Sequence, residues 1–162
     1  MIALALFGAG ACVALGMGAA NRLKQRETVL QAWDQALQRM DAAVNHSAAP
    51  LDEALRRGAA EEIPALLELR RRLKETPAAS TEELLADLPW EESLSSIERD
   101  TLKDCLAWLF SPSLQEQAQA LAYARSQWAE YLKASRDARE KNSRLYTSLG
   151  WLGGAAVFIL LC

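Results

Sequence analysis

The chain has 162 residues, 51% of them hydrophobic, with 18 Lys and Arg against 21 Asp and Glu and a formal net charge of -3. That balance excludes the basic surplus of a nucleic-acid binder. Three cysteines, at 12, 105 and 162, form neither a CxxC pair nor a disulfide framework, and the lone histidine, His46, excludes the usual zinc sites.

Ile2 to Ala20 is an uninterrupted run of apolar and small residues. At 1.5 Å per residue it reaches about 28 Å, enough to cross a hydrocarbon core, so 2–20 is expected to be a transmembrane helix. A cleaved signal peptide is the alternative, but the run lacks a basic n-region and is longer than a usual h-region. Gly8, Cys12 and Gly16 recur every four residues. A face of small residues lets helix backbones approach closely in lipid.

Asn21-Arg22-Leu23-Lys24-Gln25-Arg26 flanks this run, and the chain from there to 144 reads as helix, rich in Leu, Ala, Glu, Arg and Gln. Val29, Trp33, Leu37, Met40 and Val44 make one apolar face of a helix ending near Asn45-His46-Ser47. Pro50 suits the first turn of the next helix, with Asp52 and Glu53 at its positive end, Leu51, Ala54 and Leu55 inward and Gly58 as a stop. Pro64 restarts the pattern through Leu66, Leu67, Leu69 and Leu73. Ser80-Thr81-Glu82-Glu83 is a capping box that opens a short helix ending at Pro89, and Ser95-Ser96-Ile97-Glu98 opens another through Phe110. The apolar positions of that helix are Ile97, Thr101, Leu102, Cys105, Leu106 and Leu109. Ser113 and Glu116 form a third box. Leu114, Ala118, Leu121, Trp128 and Leu132 then mark the buried stripe of a long helix with no breaker. From Ser135 to Arg144 it is charged all round, and is expected to leave the bundle there.

The run 145–162 is the second expected transmembrane helix, and Gly150 and Gly154 form a GxxxG within it. Its basic flank, Arg136, Arg139, Lys141 and Arg144, matches that of the first run. By the positive-inside rule 21–144 is cytoplasmic and both termini face out. The fold class is therefore all-α: an antiparallel helical bundle with a transmembrane helix at each end, seated in a lipid bilayer.

No catalytic, cofactor or metal constellation is found, and no small-molecule substrate is implied. There is no P-loop lysine. Gly8-Ala9-Gly10-Ala11-Cys12-Val13 imitates part of a dinucleotide fingerprint in the wrong context. Glu61-Glu62 and Glu91-Glu92 are adjacent rather than convergent. The expectation is a protein that is not an enzyme. Glu82 to Asp104 holds eight carboxylates against Arg99 and Lys103. Such a run is usually a solvated face. As a partner surface it is represented by Glu82, Glu91 and Glu92, expected at the membrane-distal end of an upright bundle.

The segment Ala138-Arg139-Glu140-Lys141-Asn142-Ser143-Arg144-Leu145-Tyr146-Thr147-Ser148-Leu149-Gly150-Trp151-Leu152-Gly153-Gly154 resembles the end of the stage III sporulation protein AB family of spore-forming bacteria. Pro50-Leu51-Asp52-Glu53-Ala54-Leu55, Glu98-Arg99-Asp100-Thr101-Leu102 and Gln115-Glu116-Gln117 occupy further family-like places. Cys105 to Ser113 departs from the family in having no glycine, which leaves that loop's conformation open. The resemblance implies a bundle similar to the inner-membrane platform protein of type II secretion and type IV pilus machines. It also implies a scaffold in the channel complex between mother cell and forespore, alongside a secretion-type ATPase and other membrane proteins. The alternative is a membrane-tethered adaptor whose bundle binds a soluble signalling protein.

Overall fold

The structure, a computed structural model, describes the backbone over 2–47, 49–59 and 63–161. It describes side chains over 21–47, 49–59 and 63–141, and at 148 and 152. Among the described residues there are six helices and no strand: α1 (Ile2–Ser47), α2 (Leu51–Gly58), α3 (Pro64–Glu75), α4 (Thr81–Leu85), α5 (Ser96–Trp108) and α6 (Leu114–Leu161). No helix of the described residues is long and apolar enough to cross a membrane. Apart from 148 and 152, the expected spans at 2–20 and 145–162 lie outside the residues whose side chains are described, as do Gly8, Cys12, Gly16, Gly150 and Gly154.

The chain forms two compact units, Met1–Glu27 with Lys133–Cys162, and Thr28–Leu132. The second contains the core. Leu30, Trp33, Leu37 and Met40 on α1 and Leu121 and Trp128 on α6 are fully buried. Their three- and four-residue spacing places each set on one helical face. Arg125 on α6 pairs with Asp41, and the Trp128 Nε1–H donates to the Leu30 carbonyl at 2.9 Å, so within this unit α1 and α6 run antiparallel. Helix α2 packs on α3, α3 on α4 and α4 on α5. Ala54, Leu55, Leu66, Leu69, Leu84, Leu85, Leu102 and Leu106 complete the core. Gly58 is buried, and a Cβ there would lie 2.8 Å from Met40 Cγ; the missing side chain lets α2 end against α1.

Local chemistry sets the helix ends. Pro64 opens α3 after Ile63, as expected for a residue with no N–H to satisfy. Pro50 stands one place earlier than expected, as the extended N-cap of α2 rather than in its first turn. Both capping boxes form: Ser80 with Glu83, and Ser95 with Glu98, whose buried carboxylate accepts the Ser95 N–H at 2.7 Å. The third box forms only halfway. Ser113 Oγ accepts from the Glu116 N–H at 3.4 Å, but the Glu116 carboxylate accepts a hydrogen bond from the Ser111 hydroxyl instead. Exposed arginines lace α2 and α3. Arg56 and Arg57 hold the Glu53 carboxyl down to about 2, and Arg71 and Arg72 do the same to Glu68.

Several expected core positions are exposed. Leu67, Ile97 and Leu114 point outward, because the buried arc of each helix is narrower than the apolar pattern. Helix α4 ends at Leu85, short of Pro89, where Asp87 takes a φ of 46°. Asp is one of the few residues that tolerate that left-handed region. The Arg72 guanidinium binds the carbonyls of Leu84, Ala86 and Asp87 across this turn. Helix α5 ends at Trp108 rather than Phe110.

In the first unit, α6 does not part from α1 where its charges begin. Glu27, only 6% exposed, pairs with Arg136 at 3.6 Å and with Arg139. Within this unit the charged stretch is held to α1 by a buried carboxylate.

Trp128 sets the first test. Trp128→Ala should lower the unfolding free energy of the full chain in detergent by about 3–5 kcal/mol, since the ring is wholly buried. Trp128→Phe, which keeps an aromatic ring but loses the N–H, should cost less. Denaturant melts followed by circular dichroism check both.

Candidate functional site

The three acidic residues singled out by sequence fall into two kinds of place. Glu82, in the first turn of α4, and Glu92, in the α4–α5 connection, are exposed. Glu91 is half-buried, and its Oε2 accepts the Trp33 indole N–H at 3.2 Å. Next to it, Trp90 stacks on Trp33 with ring centroids 5.8 Å apart. Glu91 therefore helps to anchor its own connection. The pattern could not show this, because the contact spans 58 residues of sequence.

Sequence reasoning missed a second surface. Between α5 and the start of α6 lies a groove of about 530 Å³, lined by Thr101, Asp104, Cys105, Trp108, Glu116 and Tyr123 among others. Trp108 and Tyr123 remain 54% and 65% exposed. A signal was available: Trp108 falls between buried Cys105 on α5 and buried Leu109 at its C-cap, and Tyr123 falls between Leu121 and Ala124 on α6, so each is off its helix's buried stripe. The Cys105 thiol is 3% exposed and burial pushes it up to about 12. A thiol held neutral at physiological pH is a poor nucleophile and a poor metal ligand. Among the described residues no group of His, Cys, Asp and Glu could hold a metal ion.

The family model for stage III sporulation protein AB matches residues 1–162. The chain belongs to the stage III sporulation protein AB family. Its role is accordingly a sporulation-related one. No curated protein and no solved structure matches it.

In this family member two of the family-like segments make structural contacts. Glu53 of the Pro50–Leu55 segment binds Arg56 and Arg57, and Glu98 closes a capping box. The glycine-free loop between α5 and α6 closes without left-handed backbone. Phe110 N–H donates to Ala107 O at 3.2 Å and Ser111 N–H to Trp108 O at 3.0 Å, while Gln117 Nε2 donates back to Ser111 O at 2.7 Å.

Burial of Cys105 gives a pH test. Its folded pKa of about 12 stands above the ordinary 9.0, so the neutral thiol's contribution is complete below pH 9 and is lost as pH rises toward 12. The stability difference between the parent and Cys105→Ala should shrink over that window. In a Cys12→Ser, Cys162→Ser background the remaining thiol should resist a thiol reagent at pH 8 until the protein unfolds.

Proposed function

We propose that the protein is a non-enzymatic scaffold of a sporulation-specific, secretion-like channel complex. It is anchored in the mother-cell membrane around the forespore by helices at 2–20 and 145–162. The observation that carries this reading is the family match along the whole chain. Within that family the part at 21–144 is cytoplasmic, similar to the platform protein of type II secretion and type IV pilus machines, and couples a secretion-type ATPase to membrane partners. Glu82 and Glu92 are the exposed carboxylates through which it meets the ATPase. The small-residue faces at Gly8, Cys12 and Gly16 and at Gly150 and Gly154 serve close helix packing in lipid.

Two variants separate the two contacts. Glu82→Lys with Glu92→Lys should weaken co-purification of the ATPase from sporulating membranes and leave membrane insertion intact. Gly150→Leu with Gly154→Leu should reduce recovery of membrane partners while the fold of 28–132 persists. Wild-type recovery of the ATPase with both charges reversed would remove that surface from the account, and wild-type recovery of membrane partners with both leucines would remove the glycine face. For topology, a cysteine placed at Ser80 should escape a membrane-impermeant reagent in intact cells; labelling from outside would overturn the orientation.

A further inference from the structure

We propose that the groove between α5 and α6 is a docking site for a basic amphipathic helix of a partner protein. It is a different surface from the one assigned above to the ATPase, and its argument is independent of that reading. Ile97, Thr101, Asp104 and Trp108 follow one another at helical spacing along one side of α5. They form a strip of about 16 Å, close to three helical turns. Ile97 and Trp108 are 66% and 54% exposed, a degree of apolar exposure that no intramolecular contact accounts for. The small side chains of Cys105 and Ala120 line the cavity, and Trp108 and Tyr123 stand exposed beside it. Exposed Trp and Tyr next to a concave surface are the residue types that dominate binding hot spots.

Charge chooses the occupant. The only charged groups lining the groove are Asp104 and Glu116. Asp104 is exposed, and the Glu116 carboxylate is engaged by the Ser111 hydroxyl rather than by a base. A helix that inserts an apolar stripe between the aromatics and presents Lys or Arg on its flanks satisfies both features. A second copy of this chain, related by a twofold axis, would bring the same two carboxylates face to face. An anionic lipid surface or nucleic acid would meet the wrong sign.

The test uses the full chain in detergent micelles and a fluorescent synthetic peptide of about fourteen residues, with leucines at i, i+4, i+7 and i+11 and lysines on the flanks. A twin carries glutamates in place of the lysines. The lysine peptide should bind saturably by anisotropy, more weakly as salt rises, and the twin should not. Asp104→Lys with Glu116→Lys should weaken the lysine peptide at least about tenfold and reverse the preference between peptides. Trp108→Ser should weaken both pairings with an unchanged circular dichroism spectrum, and Tyr123→Ser repeats that test should the first variant fold poorly. Equal binding of the two peptides overturns the proposal, as does undiminished binding in both aromatic variants. Self-association of the wild-type chain that Trp108→Ser abolishes, without peptide binding, also overturns it in favour of a second copy.

Discussion

The indole N–H of Trp128 donates to the carbonyl of Leu30 from a fully buried position, and the second unit is organised around that contact. A ring of this size brings a large apolar area to the core, but its one polar atom must find an acceptor there. The acceptor is a backbone atom of another helix, so the bond fixes the height of α6 against α1 as well as their separation. Trp33 lies beside it with ring centroids 6.3 Å apart, and Tyr131 meets its edge at 5.7 Å. Trp33 in turn carries Trp90 and donates to Glu91. One continuous aromatic cluster thus joins α1, α6 and the connection between α4 and α5. Each such aromatic pair is worth about 0.5–1.5 kcal/mol beyond its burial, so the area term dominates and the geometry supplies register.

The ion pairs follow a different logic. The exposed Glu–Arg pairs on α2 and α3 are strongly screened and contribute little to stability. Glu27 is another matter, since a buried carboxylate depends far more than an exposed one on the arginines that pair with it. Arg136 and Arg139 belong to the basic flank read from the sequence as an orientation signal. Two residues of that flank thus also bind a partner helix within their own unit.

The features legible in the sequence are those whose chemistry is local. Ser80, Ser95 and Pro64 announce helix starts because the groups they satisfy lie within one turn, and Gly58 marks a stop. The stripe of Trp33, Leu37, Met40 and Val44 is legible because a helix face repeats over many residues. Ile97, Leu67 and Leu114 misled because side-chain polarity alone does not reveal how wide an arc of each helix its neighbours cover. Arg72 was unreadable: its guanidinium binds three carbonyls of a turn more than ten residues away. Glu91 reads in the sequence as one more solvated carboxylate, yet it accepts a hydrogen bond from the Trp33 indole N–H. For the candidate sites, the acidic run was visible as composition, whereas the groove required two helices to be placed side by side.

The central claim is that α1 and α6 form one cooperative frame in the second unit, with the α4–α5 connection hung on it. Native-state hydrogen exchange measures this directly. The account predicts that the most protected amides of 30–44 and 121–132 open together, at a single free energy equal to that of global unfolding, and that 86–95 open at a lower one. Separate opening free energies for the two long helices, or greater protection in 86–95 than in either of them, would contradict it.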